Sequence, residues 1–146
     1  MSKPKKPRKS RRATRSLAVQ ALYQWQIMQK SAEEVIAEFL DDHDLTTVDM
    51  EYFVELVKGV INQIGDIDAA FKPFLARDIT ELNTVELSVL RLATYEFMHR
   101  PEIPYRVVLN EALEVTKTFG TVDGYKFVNG VLDKAVRTLR KDELST

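Results

Sequence analysis

Thr84-Val-Glu-Leu-Ser-Val-Leu-Arg-Leu-Ala-Thr-Tyr-Glu-Phe-Met-His-Arg100 is the stretch on which the fold turns. Its apolar residues Val85, Leu87, Val89, Leu90, Leu92, Ala93, Phe97 and Met98 cover more than one face of a helix. A helix that is apolar nearly all round belongs at the centre of a bundle or under a partner. Pro101 and Pro104 stop it and pre-set the next start, because proline lacks an amide hydrogen and suits only a first helical turn.

On the C-terminal side, Val107, Val108, Ala112, Leu113, Thr116 and Phe119 repeat at helical spacing. Gly120 then reads as a left-handed C-terminal cap. Asp123 reads as the cap of a last helix carrying Phe127, Val128, Val131, Leu132, Ala135 and Leu139. On the N-terminal side, Ile67, Ala70 and Phe71 predict a short helix ending near Pro73, after a break at Gly65-Asp66. A capping box from Thr46 to Asp49 opens a long helix through Tyr52, Phe53, Leu56, Val57, Val60, Ile61 and Ile64. Another, Ser31 to Glu34, opens one whose buried side is Val35, Ile36, Phe39 and Leu40, and Asp41 to Asp44 breaks that pattern. From about Ser10 a stripe runs through Leu17, Ala18, Ala21, Leu22, Trp25 and Met28. No segment shows sustained strand alternation. The reading is an all-α fold of about seven helices with short connections.

The first fifteen residues carry eight basic side chains and no acid: Lys3, Lys5, Lys6, Arg8, Lys9, Arg11, Arg12 and Arg15. The remaining 131 residues hold 13 basic against 22 acidic side chains, so a net charge of −1 hides a strongly polarised molecule. Like charge this dense stays solvated until a polyanion neutralises it, and nucleic acid is the commonest such partner. Residues 1–10 are therefore expected to form a disordered basic arm that buries nothing, 11–141 one helical domain, and 142–146 a frayed polar tail.

The absence of cysteine excludes disulfides, thiolate metal sites and cysteine nucleophiles. No apolar run suggests a membrane span, and no secretory or transit signal is evident, so cytoplasmic location is expected. His43 and His99 are far apart and in no metal-ligand spacing. There is no glycine-rich phosphate loop and no nucleophile elbow. Pairs such as Glu33-Glu34 and Asp41-Asp42 fit solvated faces or caps. A binding protein without cofactor or metal is expected, not an enzyme.

Two concentrations of residues carry the binding chemistry. The arm ends at a helix start, so Arg11, Arg12 and Arg15 would be displayed at helical spacing, with Gln20 and Tyr23 following. A tyrosine beside arginines offers a stacking platform for an unpaired base next to phosphate-binding charge. Taken alone, Tyr23 also reads as a core-edge residue, and Trp25 falls in the core stripe. The second concentration is Phe119-Gly-Thr-Val-Asp-Gly-Tyr-Lys-Phe-Val-Asn-Gly130. Helix N-terminal amides favour phosphate and Lys126 adds charge, yet a plain helix-loop-helix turn, with Phe127 in the core, explains it as well.

These segments also resemble a known family. Arg11-Arg-Ala-Thr-Arg-Ser-Leu-Ala-Val-Gln-Ala-Leu-Tyr-Gln-Trp25 resembles the opening of the NusB transcription antitermination factors, and Lys126-Phe-Val-Asn-Gly-Val-Leu-Asp-Lys134 their closing motif. Leu90 to Glu96, Ile103-Pro-Tyr105 and Asn110 to Gly120 are similar to the family's middle helices, so the likeness spans about residues 8–140 in order. The resemblance implies two small packed helical bundles that bind single-stranded boxA RNA of nascent ribosomal RNA leaders. It implies a heterodimer with NusE, a small-subunit ribosomal protein, which helps load an antitermination complex on RNA polymerase. It also allows a homodimer when RNA is absent. Carried over by position, the RNA surface comprises Arg11, Arg12, Arg15, Gln20, Tyr23, Asp123, Lys126 and Phe127, and the NusE-facing surface Glu86, Arg91 and Tyr95. The two surfaces are expected to be separate.

This sequence departs from the family pattern in its lysine-rich segment Lys3 to Lys9, and in Gly124, where the family commonly has serine. Two other readings remain: the RNA-targeting domain of a ribosomal RNA methyltransferase, for which the chain leaves no room for a catalytic domain, and a protein-interaction module.

Overall fold

The computed structural model describes residues 8–120 and 122–145, so Lys3, Lys5 and Lys6 of the expected arm lie outside the described residues. The helices are α1 (Arg11–Met28), α2 (Ala32–Asp42), α3 (Met50–Asn62), α4 (Ile64–Phe71), α5 (Thr84–His99), α6 (Tyr105–Phe119), α7 (Val122–Leu139) and a short α8 (Lys141–Leu144). Two 3-10 turns, Lys72–Phe74 and Ile79–Glu81, link α4 to α5, and no strand occurs among the described residues. Helices α1, α2 and α3 pack on one another, and α4 joins α5, α6 and α7 in a second bundle. Helix α5 touches both groups, and a single core runs through them.

The all-round apolarity of α5 is what lets it sit there. Every residue from Leu87 to Phe97 is buried. Asn83 caps the helix by accepting the Val85 amide at 2.8 Å. Helix α1 is capped by Ser10, which accepts the Ala13 amide, and α2 by Ser31, which accepts the Glu34 amide. Serine at these positions satisfies amides that the helix itself leaves unpaired.

Several local expectations are corrected. Asp49 rather than Thr46 caps α3, because its carboxylate accepts the Tyr52 amide while Thr46 turns back to Asp44. Gly65 lies inside α4, and the break falls at Gln63. Gly120 has φ −112° and ψ −172°, an extended conformation rather than a left-handed cap. Asp123 lies within the first turn of α7, one residue after its start, instead of capping it. Met28 projects from the end of α1 and is exposed.

The ordered chain begins earlier than expected, within the last residues assigned to the arm. The Ser10 amide donates to Thr47 O at 2.7 Å, and Lys9 Nζ donates to Thr46 O at 3.3 Å. Residues 9 and 10 are thus tied to the α2–α3 loop, and Ser10 is a cap as well.

The expected frayed tail is helical through Leu144. Arg140 explains why. It is buried, and its guanidinium donates to Phe97 O (2.8 Å), Ile103 O (2.9 Å), Glu96 O (3.2 Å) and Arg100 O (3.0 Å). These carbonyls belong to the last turn of α5 and the loop after it, where the helix dipole favours a cation; Glu96 O and Arg100 O also accept the Arg100 and Ile103 amides. Glu143 accepts from Arg140 and from the Tyr105 amide at 2.9 Å, so α8 also closes the start of α6.

Arg140→Met should cost at least about 2 kcal/mol in denaturant unfolding, since buried carbonyls lose a charged donor. Ending the chain after Arg140 should cost less, because the carbonyl bonds survive; equal losses would assign the effect to α8 instead. The Tyr105 amide and then Arg140 hold the Glu143 carboxyl below the ordinary glutamate range. A depressed acid stabilises fully above its unfolded value and loses that contribution as pH falls through the folded one. Acid unfolding curves of the parent should therefore fall more steeply below the ordinary glutamate range than those of Glu143→Gln.

Candidate nucleic-acid interface

The three arginines at the start of α1 diverge. Arg11 is exposed and its guanidinium lies 3.9 Å from the centroid of the Tyr52 ring. Arg12 is exposed and forms a two-pronged ion pair with Glu111 of α6, at 2.9 and 3.0 Å. That hydrogen bond holds the Glu111 carboxyl below its ordinary value.

Arg15 corrects the expectation of a displayed row. It is 3% exposed and bonds Glu96 of α5 through Nε at 2.8 Å and Nη2 at 2.9 Å. The Tyr52 hydroxyl donates to the same carboxylate. Burial and the neighbouring Glu96 charge push the Tyr52 phenol well above its ordinary value, so it stays a donor. The sequence did carry a signal: Arg15 stands three and seven residues before Ala18 and Leu22, on the buried stripe.

Gln20 and Tyr23 come together as expected. They line an open groove of about 520 Å³ with Val19 and Gln24 of α1, three residues of α2 and its C-cap His43, Val85 of α5 and Phe119 of α6. Tyr23 and Phe119 are the exposed aromatics of this groove, at 36% and 39%. On the neighbouring surface, Asp123 and Lys126 are exposed on α7, and Phe127 is half-buried against the core. Arg77, from the α4–α5 connection, sits 4.6 Å from the centroid of the Phe127 ring. Its Nη2 is also 4.0 Å from Glu86.

Glu86 therefore stands beside Phe127 and one residue from Val85 of the groove, so the surfaces expected to be separate abut. The other two partner-facing candidates are corrected. Arg91 is buried and bonds Asp68 of α4 at 2.9 Å through Nε and Nη2, with Gln26 accepting at 2.8 Å from Nη1. Tyr95 is buried, with its ring packed so closely on Gly59 that an added Cβ there would lie 2.3 Å from it. Its hydroxyl donates to Glu55, and burial, then the Glu55 charge, pushes it up to about 12. Both side chains join helices within the fold.

The profile of the NusB family matches residues 12–137. The chain belongs to the NusB family. The transcription antitermination protein NusB of Idiomarina loihiensis is 51% identical over 131 residues, covering 90% of this chain and 94% of that protein. The crystal form of T. maritima NusB superposes with a TM-score of 0.83 at 30% identity, covering 95% of this chain and 99% of that one. A crystal structure of the antitermination factors NusB and NusE in complex with dsRNA matches at a TM-score of 0.74 and 26% identity, covering 88% and 96%.

The geometry brings Phe119 and Arg77, which are not among the sequence-predicted site residues, beside those candidates. Phe119 opens the stretch to Gly130 that the sequence singles out, without itself being named as a binding residue. Arg77 lay in an irregular connection and carried no periodic signal. The arginines can be told apart by stability. Arg15→Ala should cost about 3–5 kcal/mol by stranding Glu96 in the core, whereas Arg12→Ala, losing an exposed pair, should cost no more than about 1 kcal/mol. Thermal or denaturant unfolding measures both, and similar losses would contradict this division.

Proposed function

We propose that this NusB-family protein binds the single-stranded boxA element of nascent ribosomal RNA leaders as a heterodimer with NusE. In that role it joins the antitermination complex on RNA polymerase in the cytoplasm and promotes full transcription of ribosomal RNA operons. The observation that carries the proposal is the aromatic groove at Tyr23 and Phe119, set beside Arg11, Arg12 and Lys126 in a chain of this family. Stacking rings read unpaired bases, and the flanking cations hold phosphates. The NusB–NusE–dsRNA structure, similar to this chain over 88% of its length, supports the same pairing of partners.

The RNA surface on this reading comprises Arg11, Arg12, Gln20, Tyr23, Asp123, Lys126 and Phe127, joined by Phe119 and Arg77. Arg15 supports it from below by fixing α1. Glu86 faces NusE at the border of the RNA surface. The protein acts by binding, with no catalytic step. The methyltransferase-domain and interaction-module readings gain no specific observation.

The test is titration of a boxA oligonucleotide with the protein, alone and with NusE. Any factor by which NusE tightens RNA binding must equal the factor by which RNA tightens NusE binding. Tyr23→Ala should cost about 1–3 kcal/mol in RNA affinity and Tyr23→Phe far less, since stacking needs the ring. Equal losses of melting temperature with unchanged affinity would make Tyr23 structural. Removing residues 1–8 spares Lys9 and the Ser10 cap while deleting Lys3, Lys5, Lys6 and Arg8. The log–log salt slope should then flatten by up to about 3, at about 0.7 per lost phosphate contact. An unchanged slope would show that the arm does not meet RNA phosphates.

A further inference from the structure

We propose that helix α2 belongs to the RNA-binding surface: the groove between α1 and α2 holds one splayed-out base, stacked near His43 and read by Asp42. The proposal rests on the RNA-binding reading above and extends it to a helix outside that surface.

The α2 side of the groove is formed by Glu38, Phe39, Asp42 and His43. Phe39 is buried, and the His43 imidazole stacks on it with ring centroids 4.5 Å apart and planes 10° from parallel. The His43 amide closes α2 by donating to Phe39 O at 3.3 Å, which holds the imidazole at a defined place on the groove wall. Across the groove stand Tyr23, Gln20 and Phe119. A base therefore meets flat rings on two sides, in a volume of about 520 Å³ that lies within the usual range of ligand clefts. Continuity is direct, because Tyr23 and Gln20 border this groove and also belong to the proposed RNA surface.

Charge decides which part of the strand enters. Among the described residues the groove is lined by two carboxylates, Glu38 and Asp42, and by no lysine or arginine. Lys30 pairs with Glu38 at 2.8 Å, which leaves Asp42 as the carboxylate without that neutralising cation. A phosphate is repelled there and stays with the cations of α1 and α7. A base edge is not repelled when it presents a donor: a carboxylate accepts from an exocyclic amino group, as Asp and Glu accept from cytosine N4. Gln20 and Gln24 can donate to or accept from the remaining edge. The occupant is thus an amino-bearing base of the same single strand, not its backbone.

The experiment measures fluorescence anisotropy of a labelled boxA oligonucleotide, and of a set carrying one base change at each position, with the full chain. Wild type must first bind boxA more tightly than a scrambled sequence; failure there removes the RNA reading itself. With that established, His43→Ala should weaken boxA binding about 5- to 100-fold, the range of a lost stacking partner, with an unchanged salt slope. Asp42→Asn should abolish discrimination between amino and carbonyl bases at one position and keep it elsewhere. Glu33→Ala, on α2 but outside the groove, should match wild type. Circular dichroism should show all three variants fully folded, since each changes an exposed side chain. Wild-type affinity and discrimination in both His43→Ala and Asp42→Asn, while Tyr23→Ala binds weakly, would overturn the proposal. So would an Asp42→Asn protein that binds every RNA more tightly with a steeper salt slope, because the wall would then border phosphates.

Discussion

Arg15 and Glu96 meet as a two-pronged ion pair between α1 and α5, with the Tyr52 hydroxyl of α3 closing the third side. Three helices therefore converge on one buried carboxylate. Taking two charges out of water is expensive, and their attraction repays it only when geometry and extra hydrogen bonds are good. The consequence is registry: sliding α1 by one turn along α5 would strand both charges, while the surrounding leucines and alanines would tolerate the shift better. The position of every functional side chain on α1, from Arg11 to Tyr23, depends on that registry.

Helix α5 carries the same logic along its length. Arg91 joins it to α4 through Asp68, Tyr95 joins it to α3 through Gly59 and Glu55, and Arg140 gathers the carbonyls at its end. The buried charges on this helix, Arg91 and Glu96, are each matched to a neighbour, which is how a buried helix accommodates them. Its first turn, Thr84 to Glu86, is half-buried, and His99 at its other end is exposed. In the first turn Val85 enters the aromatic groove and Glu86 meets Arg77 above Phe127. The surface proposed for RNA and Glu86, the proposed NusE contact, meet at the N-terminal end of the central helix.

Charge is sorted by the fold in the same direction. The basic arm is rooted at Lys9 and Ser10 on the α2–α3 loop, next to Arg11 and Tyr52. The groove beside α2 carries Glu38 and Asp42, while Arg11, Arg12 and Lys126 are exposed on α1 and α7. On the proposed reading, phosphates and base edges would meet different parts of the surface, as reading a single strand instead of only holding it requires.

The sequence by itself determined the helices, because their signals are local: a serine three residues before an amide it caps, or apolar residues recurring every three to four positions. It drew α5 as Thr84 to His99 to within a residue, and placed Tyr23 and Gln20 off the core stripe, where the groove opens. Tertiary structure alone decided which partners the other charged and aromatic candidates meet. Arg15 finds its partner 81 residues away, Arg91 finds Asp68 at 23 and Tyr95 finds Glu55 at 40. An arginine on a helix looks the same whether it awaits a phosphate or a buried carboxylate. What distinguishes the two is a neighbour brought by packing, and helical periodicity holds no information about neighbours more than one turn away.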